Sequence, residues 1–558
     1  MPDTLRIIPL GGLGEVGKNM LAVEYGPDIL LIDAGIMFPE NDMLGIDFII
    51  PDWQYLSDKV ERVRAILITH GHEDHVGALP YLLNEINAPV YTTCLTRGLI
   101  EVDLKRHKLL DKVVLHTVAA GDQVVVGPFQ VEFFRVCHSI PDAVGLGITT
   151  PAGLIVHTGD FKLDYTPVSG KPTDFAKLAE LGGRGVLALL SDSTNAERPG
   201  NTPSERFVEA ALEQVFRDAP GRIIIATFAS LISRIQQAID VACRNGRKFA
   251  IAGKTMADNV KMARELGYLQ IPHGMQVTLG DIRAIPANKL VILATGAQGE
   301  PSAVLSRLAT GHHPSLQIEP GDTVVLSSHT IPGNEESIYR VINRLFQRGA
   351  DVIYSPSAPV HVSGHASQEE QKMLLNIVRP RNFVPIHGEL RHLKQHAKTA
   401  RELGLAAERI AVVENGHVLH LEGDQLRVGK RVPGGYVFVD GNWVGSAVGP
   451  TVIREREILA TAGICVVALR YDVQRGTLLE APRLVLHGFV ANEVVENVVG
   501  EAREAVLRAA KSLNPGTPVA TAERTVRRSL ADFFYQKTKN RPEIVVLAMG
   551  DGAGSDRL

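Results

Sequence analysis

One stretch, residues 64–77, constrains the fold more than any other part of this sequence. An apolar, β-branched run ends there in a loop that carries three histidines and two carboxylates within six positions. Side chains alternate along a strand, so His70 and His72 can point to the same place. Asp74 and His75 are neighbours, and at least one of them must therefore face a second point. If further ligands come from elsewhere in the chain, this density fits two adjacent metal ions better than one.

The alternative for this loop is a polar surface turn. Imidazoles are mostly neutral at pH 7 and seldom cluster without a reason, so the pattern favours ligands over a turn. Single histidines and aspartates recur where later apolar strands end, at His138, Asp160, Asp192 and His387. Each alone would be read as a turn residue. Together they predict a site assembled from several strand ends, with metal ligands among them.

Composition restricts the class of protein. The chain has 558 residues, of which 45% are hydrophobic and 22% charged, which predicts a soluble protein of two to four domains. The net charge of −4 provides no general basic field, so a nucleic-acid site would have to be local. Four scattered cysteines favour a reducing compartment over a disulfide framework. Without a signal pattern or a membrane-spanning apolar run, the sequence predicts a cytoplasmic protein with no membrane partner.

The opening segment contains a literal Gly-x-Gly-x-x-Gly from Gly12 to Gly17, with Asp33 at the distance of a ribose-binding carboxylate. A helix should follow the glycines of a dinucleotide site, but residues 19–25 have the composition of a strand before a Gly-Pro turn. We therefore expect a β-meander. Asp33, at a strand end, is expected to accept hydrogen bonds from loop amides rather than to act in catalysis.

The rest of the chain divides into three regions that differ in their pattern of strands, helices and turn residues. From about Thr202, helices alternate with apolar strands that end in polar or glycine-rich loops, which is typical of a parallel α/β domain. Strand-end histidines return after residue 353, so we expect the first domain to be interrupted by the second and completed after it. A Gly- and Pro-rich stretch then leads to the strands and helices of a small α+β domain.

The motif His-x-His-x-Asp-His resembles the signature of the metallo-β-lactamase superfamily. The α/β insertion before the last ligand histidine resembles its β-CASP branch, which acts on nucleic acids, and Asp192, His365 and His387 match that branch's three motifs. With the C-terminal segment included, the whole chain resembles the bacterial ribonuclease J family. The implied fold class is α/β, with a metallo-β-lactamase αββα sandwich interrupted by a parallel α/β β-CASP domain, plus a small C-terminal α+β domain. The expected limits are 1–195 and 353–440 for the two parts of the sandwich, 196–352 for the β-CASP domain, 441–460 for a linker and 461–558 for the C-terminal domain.

The resemblance implies a centre of two divalent ions per subunit. Imidazole and carboxylate ligands without thiolates suit Zn²⁺ or Mn²⁺. The implied ligands are His70, His72 and His138 for one ion, Asp74, His75 and His387 for the other, and Asp160 as a bridge. His365, oriented by Asp192, would help the leaving 3′-oxygen of the RNA. The alternative is that His365 only binds phosphate.

Two loops are predicted to bind RNA phosphate. The first combines a hydroxyl, imidazoles and glycine amides just before a helix, in His361, Val362, Ser363, Gly364 and His365. The resemblance implies that it contacts the 5′-terminal phosphate side of the RNA. The second candidate, in the inserted domain, is Phe228, Ala229 and Ser230. The alternative is that both loops are only turns.

The implied activity is hydrolysis of single-stranded RNA by attack of a metal-activated hydroxide on the phosphodiester. A pocket for a 5′-monophosphate would give 5′-to-3′ exonuclease action, and RNA that enters without that anchor would be cut internally. Such an enzyme would act in RNA maturation, including rRNA processing, and in mRNA decay. The alternatives are a small-substrate metallo-hydrolase and an RNA-binding scaffold with an inactive site. The basic end of the last domain favours a homodimer or higher homo-oligomer over an RNA contact.

A structural cation is a further prediction. Gly45 and Asp47 lie in an acidic loop and, with the distant Asp440, offer oxygen ligands that suit Ca²⁺. Ordinary turn chemistry explains the same residues without an ion.

Overall fold

The computed structural model describes residues 4–40, 42–330, 334–491 and 493–551. The chain divides into two compact units, of which one comprises Met1–Glu40 with Phe48–Val437 and the other Asn41–Asp47 with Phe438–Leu558. The expected limits at residues 195 and 352 lie inside the first unit and stay a prediction.

The first unit contains a mixed sheet that begins with the predicted β-meander. Its opening strands Leu5–Gly11, Met20–Tyr25 and Asp28–Ile32 pair antiparallel, so a strand follows the glycine motif, as expected. The eight strands found among the described residues are, in spatial order, Gln425–Arg431, His417–Glu422, Leu5–Gly11, Met20–Tyr25, Asp28–Ile32, Val63–Leu67, Val90–Thr92 and Leu115–Thr117. The later strands pair in parallel and therefore need crossover connections, which contain the helices Glu73–Val76, Leu79–Glu85 and Cys94–Arg106.

A second sheet packs face to face on the first. Its strands are, in spatial order, Asn382–Ile386, Val186–Asp192, Gly153–His157, Val144–Thr150, Phe129–Arg135 and Gln123–Val126. Leu30 and Leu67 of the first sheet share one buried cluster with Phe133 and Leu190 of the second. The outer face of the second sheet packs against the helices Phe175–Arg184, Gln368–Val378 and Leu390–Glu402. This is the expected sandwich with helices outside its sheets.

Strand direction brings the predicted site residues to one edge of this sandwich. Gly153–His157, Val186–Asp192 and Asn382–Ile386 are parallel neighbours, so their carboxyl ends lie together. Phe129–Arg135 and Gly153–His157 are both antiparallel to Val144–Thr150, which places the carboxyl end of Phe129–Arg135 at that edge as well. Asp192 is the last residue of its strand, and the chain segments that leave the other strands carry Asp160, His387 and His138.

The inserted part of the first unit is a parallel sheet covered on both faces. Its strands are, in spatial order, Gln276–Val277, Lys248–Ala252, Leu290–Ala294, Ile223–Ala226, Thr323–Leu326 and Asp351–Tyr354. Two buried clusters lie on opposite faces of the sheet, because Ile223 and Ile225 belong to one and Ile224 and Ala226 to the other. The helices of this part are Arg206–Asp218, Ile232–Arg244, Lys254–Glu265, Val304–Thr310 and Glu335–Gln347.

The second unit has its own core around a four-stranded sheet. Strand Ile464–Asp472 pairs antiparallel with Thr477–Leu478 and Arg483–His487 and in parallel with Glu543–Asp551. Helices Val495–Lys511 and Val519–Thr538 contribute to its buried cluster. The fold class predicted from the sequence is confirmed for the sandwich, the parallel insertion and this α+β unit.

One part of the expected linker at 441–460 is helical. The helix Pro450–Ala462 begins with a proline at its first turn, where no backbone N–H is needed, and ends before Gly463, which has a φ of 74°. Pro450 of the expected linker is therefore the first residue of a helix, and the limits of the linker stay a prediction.

Candidate metal centre and phosphate loop

Three histidine ring nitrogens converge at the edge of the sandwich. His70 Nε2 and His138 Nε2 each lie 3.1 Å from His72 Nδ1, and the side chains of His70 and His138 are almost fully buried. Burial lowers the pKa of all three imidazoles, that of His72 to about 4. Neutral imidazoles offer lone pairs, so this group has the donors and the spacing that a divalent cation needs.

A second group lies beside the first. It comprises Asp74, His75, Asp160 and His387, whose candidate ligand atoms all lie within 4.8 Å of one another. His75 Nε2 is 3.2 Å from Asp160 Oδ2, and Asp74 Oδ2 is 3.5 Å from both His75 Nε2 and His387 Nε2. His387 Nε2 is buried and has no hydrogen-bond partner within the part of the chain that the structure describes. An orphaned ring nitrogen facing a carboxylate fits a cation placed between them.

Asp160 lies between the two groups. Its Oδ2 is 3.8 Å from both His70 Nε2 and His138 Nε2, while its Oδ1 is 2.8 Å from His387 Nδ1. Burial alone would raise the pKa of the Asp160 carboxyl, but His387 and His75 outweigh burial and hold it well below its usual value. Conversely, burial works against charging His387, yet Asp160 raises its pKa to about 10. The carboxylates thus make the second group strongly attractive to positive charge.

Hydrogen-bond contacts with neighbouring residues fix the orientation of the candidate ligand side chains. Asp33 Oδ2 lies 2.7 Å from His75 Nδ1, and Asp33 Oδ1 accepts the Thr69 N–H at 2.8 Å. Asp33 therefore accepts a loop amide, as the sequence suggested, and also orients the candidate ligand His75, which sequence reasoning missed. The strand pattern could have indicated this role of Asp33, because strands Asp28–Ile32 and Val63–Leu67 are parallel neighbours and their carboxyl ends meet. Asn19 Nδ2 donates to the Asp74 carbonyl at 3.1 Å.

His365 and Asp192 form a pair next to Asp160. His365 Nδ1 is 2.8 Å from Asp192 Oδ2 and 3.8 Å from Asp160 Oδ2. Burial lowers the pKa of His365, but the Asp192 carboxylate more than compensates and raises it above its ordinary value. Asp192 is itself oriented, because its Oδ1 accepts the Thr194 N–H and hydroxyl at 2.9 and 2.7 Å. A protonated imidazole at this place can donate to a phosphate or to a leaving oxygen.

The loop 360–365 contacts this centre directly. His138 Nδ1 lies 2.8 Å from the Gly364 carbonyl oxygen. Asn195 Nδ2 donates to Ser363 Oγ at 2.8 Å and to the His365 carbonyl at 2.9 Å. A methyl group at Gly364 would lie 2.6 Å from His138 Cε1, so only glycine allows this approach. Asn195 is a further residue that sequence reasoning did not single out.

The second predicted loop follows the strand Ile223–Ala226. The Ala229 carbonyl accepts from Asn259 Nδ2 at 3.1 Å, and the Ser230 carbonyl accepts the Ile232 N–H at 2.8 Å. Ala229 packs on the same buried cluster as Val360 and Val362 of the first loop. Ala229 therefore packs on the cluster that also contains Val360 and Val362, and contact of Phe228, Ala229 and Ser230 with phosphate stays a prediction.

The residues proposed for a structural cation lie together in the second unit. Asp47 N donates to the Val439 carbonyl at 2.9 Å, and Asp47 Oδ2 accepts the Gly441 N–H at 2.7 Å. The Asp440 carboxylate pairs with the Arg456 guanidinium, which also lies close to Gly45. Arg456 already supplies positive charge here, and a calcium ion at this place stays a prediction.

The fold and the site define a class of protein: a metallo-hydrolase of the metallo-β-lactamase superfamily with a β-CASP insertion. Comparison with family models agrees, since residues 13–174 match the metallo-beta-lactamase superfamily and residues 358–413 a Zn-dependent metallo-hydrolase RNA specificity domain. Residues 220–345 match the beta-CASP domain of ribonuclease J, and residues 451–550 match the ribonuclease J C-terminal domain. The chain belongs to the ribonuclease J family.

Individual relatives carry the same conclusion. The chain is 41% identical to ribonuclease J2 of Bacillus subtilis over 98% of its own length and 99% of that protein. It is 44% identical to ribonuclease J of Synechocystis over 88% of its own length and 76% of that protein. A crystal structure of a protein of unknown function from Enterococcus faecalis covers 75% of this chain and all of that chain with a TM-score of 0.55; at 15% identity it shows the fold alone.

These findings support a metal-dependent ribonuclease, and the family and the two ligand groups support the use of divalent metal. In the part of the chain that the structure describes, no helix combines the length and hydropathy that crossing a bilayer requires.

Proposed function

We propose that this member of the ribonuclease J family binds two divalent cations per subunit, Zn²⁺ or Mn²⁺, and removes nucleotides from RNA in the 5′-to-3′ direction. His70, His72 and His138 would hold one cation, Asp74, His75 and His387 the other, and Asp160 both. The observation that carries the proposal is the position of Asp160 Oδ2, within 3.8 Å of ring nitrogens from both groups. Nitrogen and oxygen donors without thiolates suit either metal.

Bound cations would supply Lewis-acid chemistry, which polarises a phosphodiester and activates water as a nucleophile. The chain's own residues contribute the proton. His365, whose pKa is raised by the Asp192 carboxylate at 2.8 Å, lies beside the centre and, when protonated, can donate its proton to the leaving 3′-oxygen. Thr194 holds Asp192 in place, so His365 keeps its orientation while it donates.

We propose that the loop 361–365 binds the 5′-monophosphate of single-stranded RNA, with Phe228, Ala229 and Ser230 as a second contact. Asn195 Nδ2 donates to the Ser363 hydroxyl, and His138 Nδ1 lies within hydrogen-bond distance of the Gly364 carbonyl. These contacts fix the position of the loop relative to the proposed ligand His138. A phosphate fixed by this loop sets a constant distance from the 5′ end to the centre. That distance favours release of one nucleotide at a time, whereas RNA without the anchor is cut internally.

The test is a time course on RNA labelled at a 5′-monophosphate, with and without chelator. We expect labelled mononucleotide as the first product, restored by Zn²⁺ or Mn²⁺ after chelation. The same RNA with a 5′-triphosphate should release little mononucleotide and show internal cuts. Intact RNA that remains bound would favour a scaffold with an inactive site, and hydrolysis of small esters without RNA cleavage would favour a small-substrate hydrolase. Plasma mass spectrometry of the purified protein gives the metal and its stoichiometry.

We propose that the chain forms a homodimer or higher homo-oligomer through the second unit. Support comes from its sheet, which exposes about half or more of the side chains of Val485, Leu547 and Met549. Exposed apolar side chains on one sheet favour burial against another protein surface. Analytical ultracentrifugation of the full chain and of Leu547→Glu tests this. A wild-type monomer would contradict the proposal, and a smaller assembly in the variant would support it.

A further inference from the structure

Two fully buried, positively charged side chains contact the loop 360–365. The side chains of Lys162 and Arg234 are 1% and 0% exposed, and Glu205 lies between them. Glu205 Oε2 pairs with Arg234, and Glu205 Oε1 is 3.6 Å from Lys162 Nζ, which is also 3.9 Å from Asp164 Oδ2. Two cations face two carboxylates, so the network is neutral and is not itself an anion site. Buried charges are costly unless paired, which gives the network one defined geometry.

Each of these two charged side chains donates a hydrogen bond to a backbone carbonyl of the loop. Arg234 Nη1 donates to the Val360 carbonyl at 3.1 Å, and Lys162 Nζ donates to the Ser363 carbonyl at 3.2 Å. Ser327 Oγ strengthens the first contact, since it also donates to the Val360 carbonyl at 2.6 Å. The residues between and after these carbonyls are those proposed to bind phosphate.

Because peptide units are planar, these two contacts fix the direction in which the loop's peptide groups point. The C=O and N–H of a trans peptide unit point in opposite directions. A Val360 carbonyl held by Arg234 directs the His361 N–H away from the network, and a Ser363 carbonyl held by Lys162 does the same for the Gly364 N–H. Among the described residues, the His361 and Gly364 N–H groups have neither a backbone nor a side-chain acceptor, whereas the His365 N–H lies 3.3 Å from Ser363 Oγ. Both are therefore free to donate to a bound anion.

We propose that Lys162 and Arg234, linked by Glu205, are positioning residues that turn the N–H groups of His361 and Gly364 toward the 5′-phosphate. The inference rests on the proposed function, because it assigns the cause of the 5′-end preference. Without the Lys162 ammonium, the Ser363–Gly364 peptide unit can rotate. Phosphate then loses one oriented donor, while the ligand groups keep their own contacts. Binding of the 5′ end should weaken, and internal cleavage should not.

The experiment compares Lys162→Met with the wild type in full-length, metal-loaded protein. We expect the inhibition constant of a nucleoside 5′-monophosphate, and the KM for 5′-monophosphate RNA, to rise about tenfold, as for loss of one hydrogen bond to a charged group. The kcat for internal cleavage of RNA with a 5′-hydroxyl should stay within about twofold of the wild type. Ser327→Ala removes only a hydroxyl at the other end of the loop and should shift both constants in the same direction by a smaller factor.

A matched control is Arg222→Met. Arg222 forms a buried ion pair with Asp322 at the amino-terminal ends of the parallel strands Ile223–Ala226 and Thr323–Leu326. This pair is at the end of the strands opposite to Ser327, which contacts the loop. A similar loss of stability without a change in the inhibition constant is expected there. Equal loss of both activities in Lys162→Met, loss of bound metal, or an unchanged inhibition constant in both Lys162→Met and Ser327→Ala would overturn the inference. If Lys162→Met does not fold, Ser327→Ala decides alone. If the wild type releases no mononucleotide, the proposed function fails instead.

Discussion

Gly364→Ala should impair the centre by steric displacement alone. The added methyl group would lie 2.6 Å from His138 Cε1 and 2.7 Å from His138 Nδ1. An ordinary carbon–carbon contact needs about 3.5 Å, so either the loop or the ring must move by about 1 Å. The His138 side chain is 1% exposed and packed beside His72, so the loop is the part that yields.

A displacement of about 1 Å at a reacting centre can cost about 100-fold in rate. We therefore expect kcat/KM for 5′-monophosphate RNA to fall between about 10-fold and 100-fold, which is about 1.4 to 2.8 kcal/mol of transition-state stabilisation. Bound metal, measured by plasma mass spectrometry, should stay near the wild-type stoichiometry, because the ligand atoms need not move.

Gly183→Ala is the matched control. An added methyl there meets nothing within 4 Å, and Gly183 lies in the helix Phe175–Arg184, where alanine is favoured. Its activity should equal that of the wild type. Gly364→Ala at the wild-type rate, with an unchanged melting temperature, would refute the reasoning that this close approach positions the loop.

Three further outcomes are expected. Asp160→Ala should release both cations and lower cleavage at least about 1000-fold, since it removes the shared ligand, while filter binding still detects RNA; normal turnover would contradict its bridging role. Ser363→Ala should reduce the preference for 5′-monophosphate over 5′-hydroxyl RNA by about tenfold, and equal loss of exonucleolytic and internal cutting would remove the pocket assignment. Asp33→Asn should weaken metal affinity about 10- to 100-fold by loosening His75, as a chelator titration would measure; an unchanged titration would leave Asp33 with only its loop contact.

The kind of chemistry and the order of the elements could be predicted from the sequence. His70, His72, Asp74 and His75 lie within one short loop, and such a spacing can be read without any tertiary information. The alternation of strands and helices likewise predicted the parallel insertion and the α+β unit, and the resemblance to the metallo-β-lactamase superfamily implied the sandwich. The helix Pro450–Ala462 was not predicted, because a proline in a Gly- and Pro-rich stretch can mark the start of a helix as well as a connection.

The contacts between residues that are distant in the sequence could be found only in the folded chain. Asp33 orients His75 because two parallel strands end side by side, and Asn195 holds Ser363 across 168 positions of sequence. Lys162, Glu205 and Arg234 are ordinary charged residues in the sequence. Their role follows only from burial, since a charge without water must find partners, and the partners available here are one another and the carbonyls of the loop.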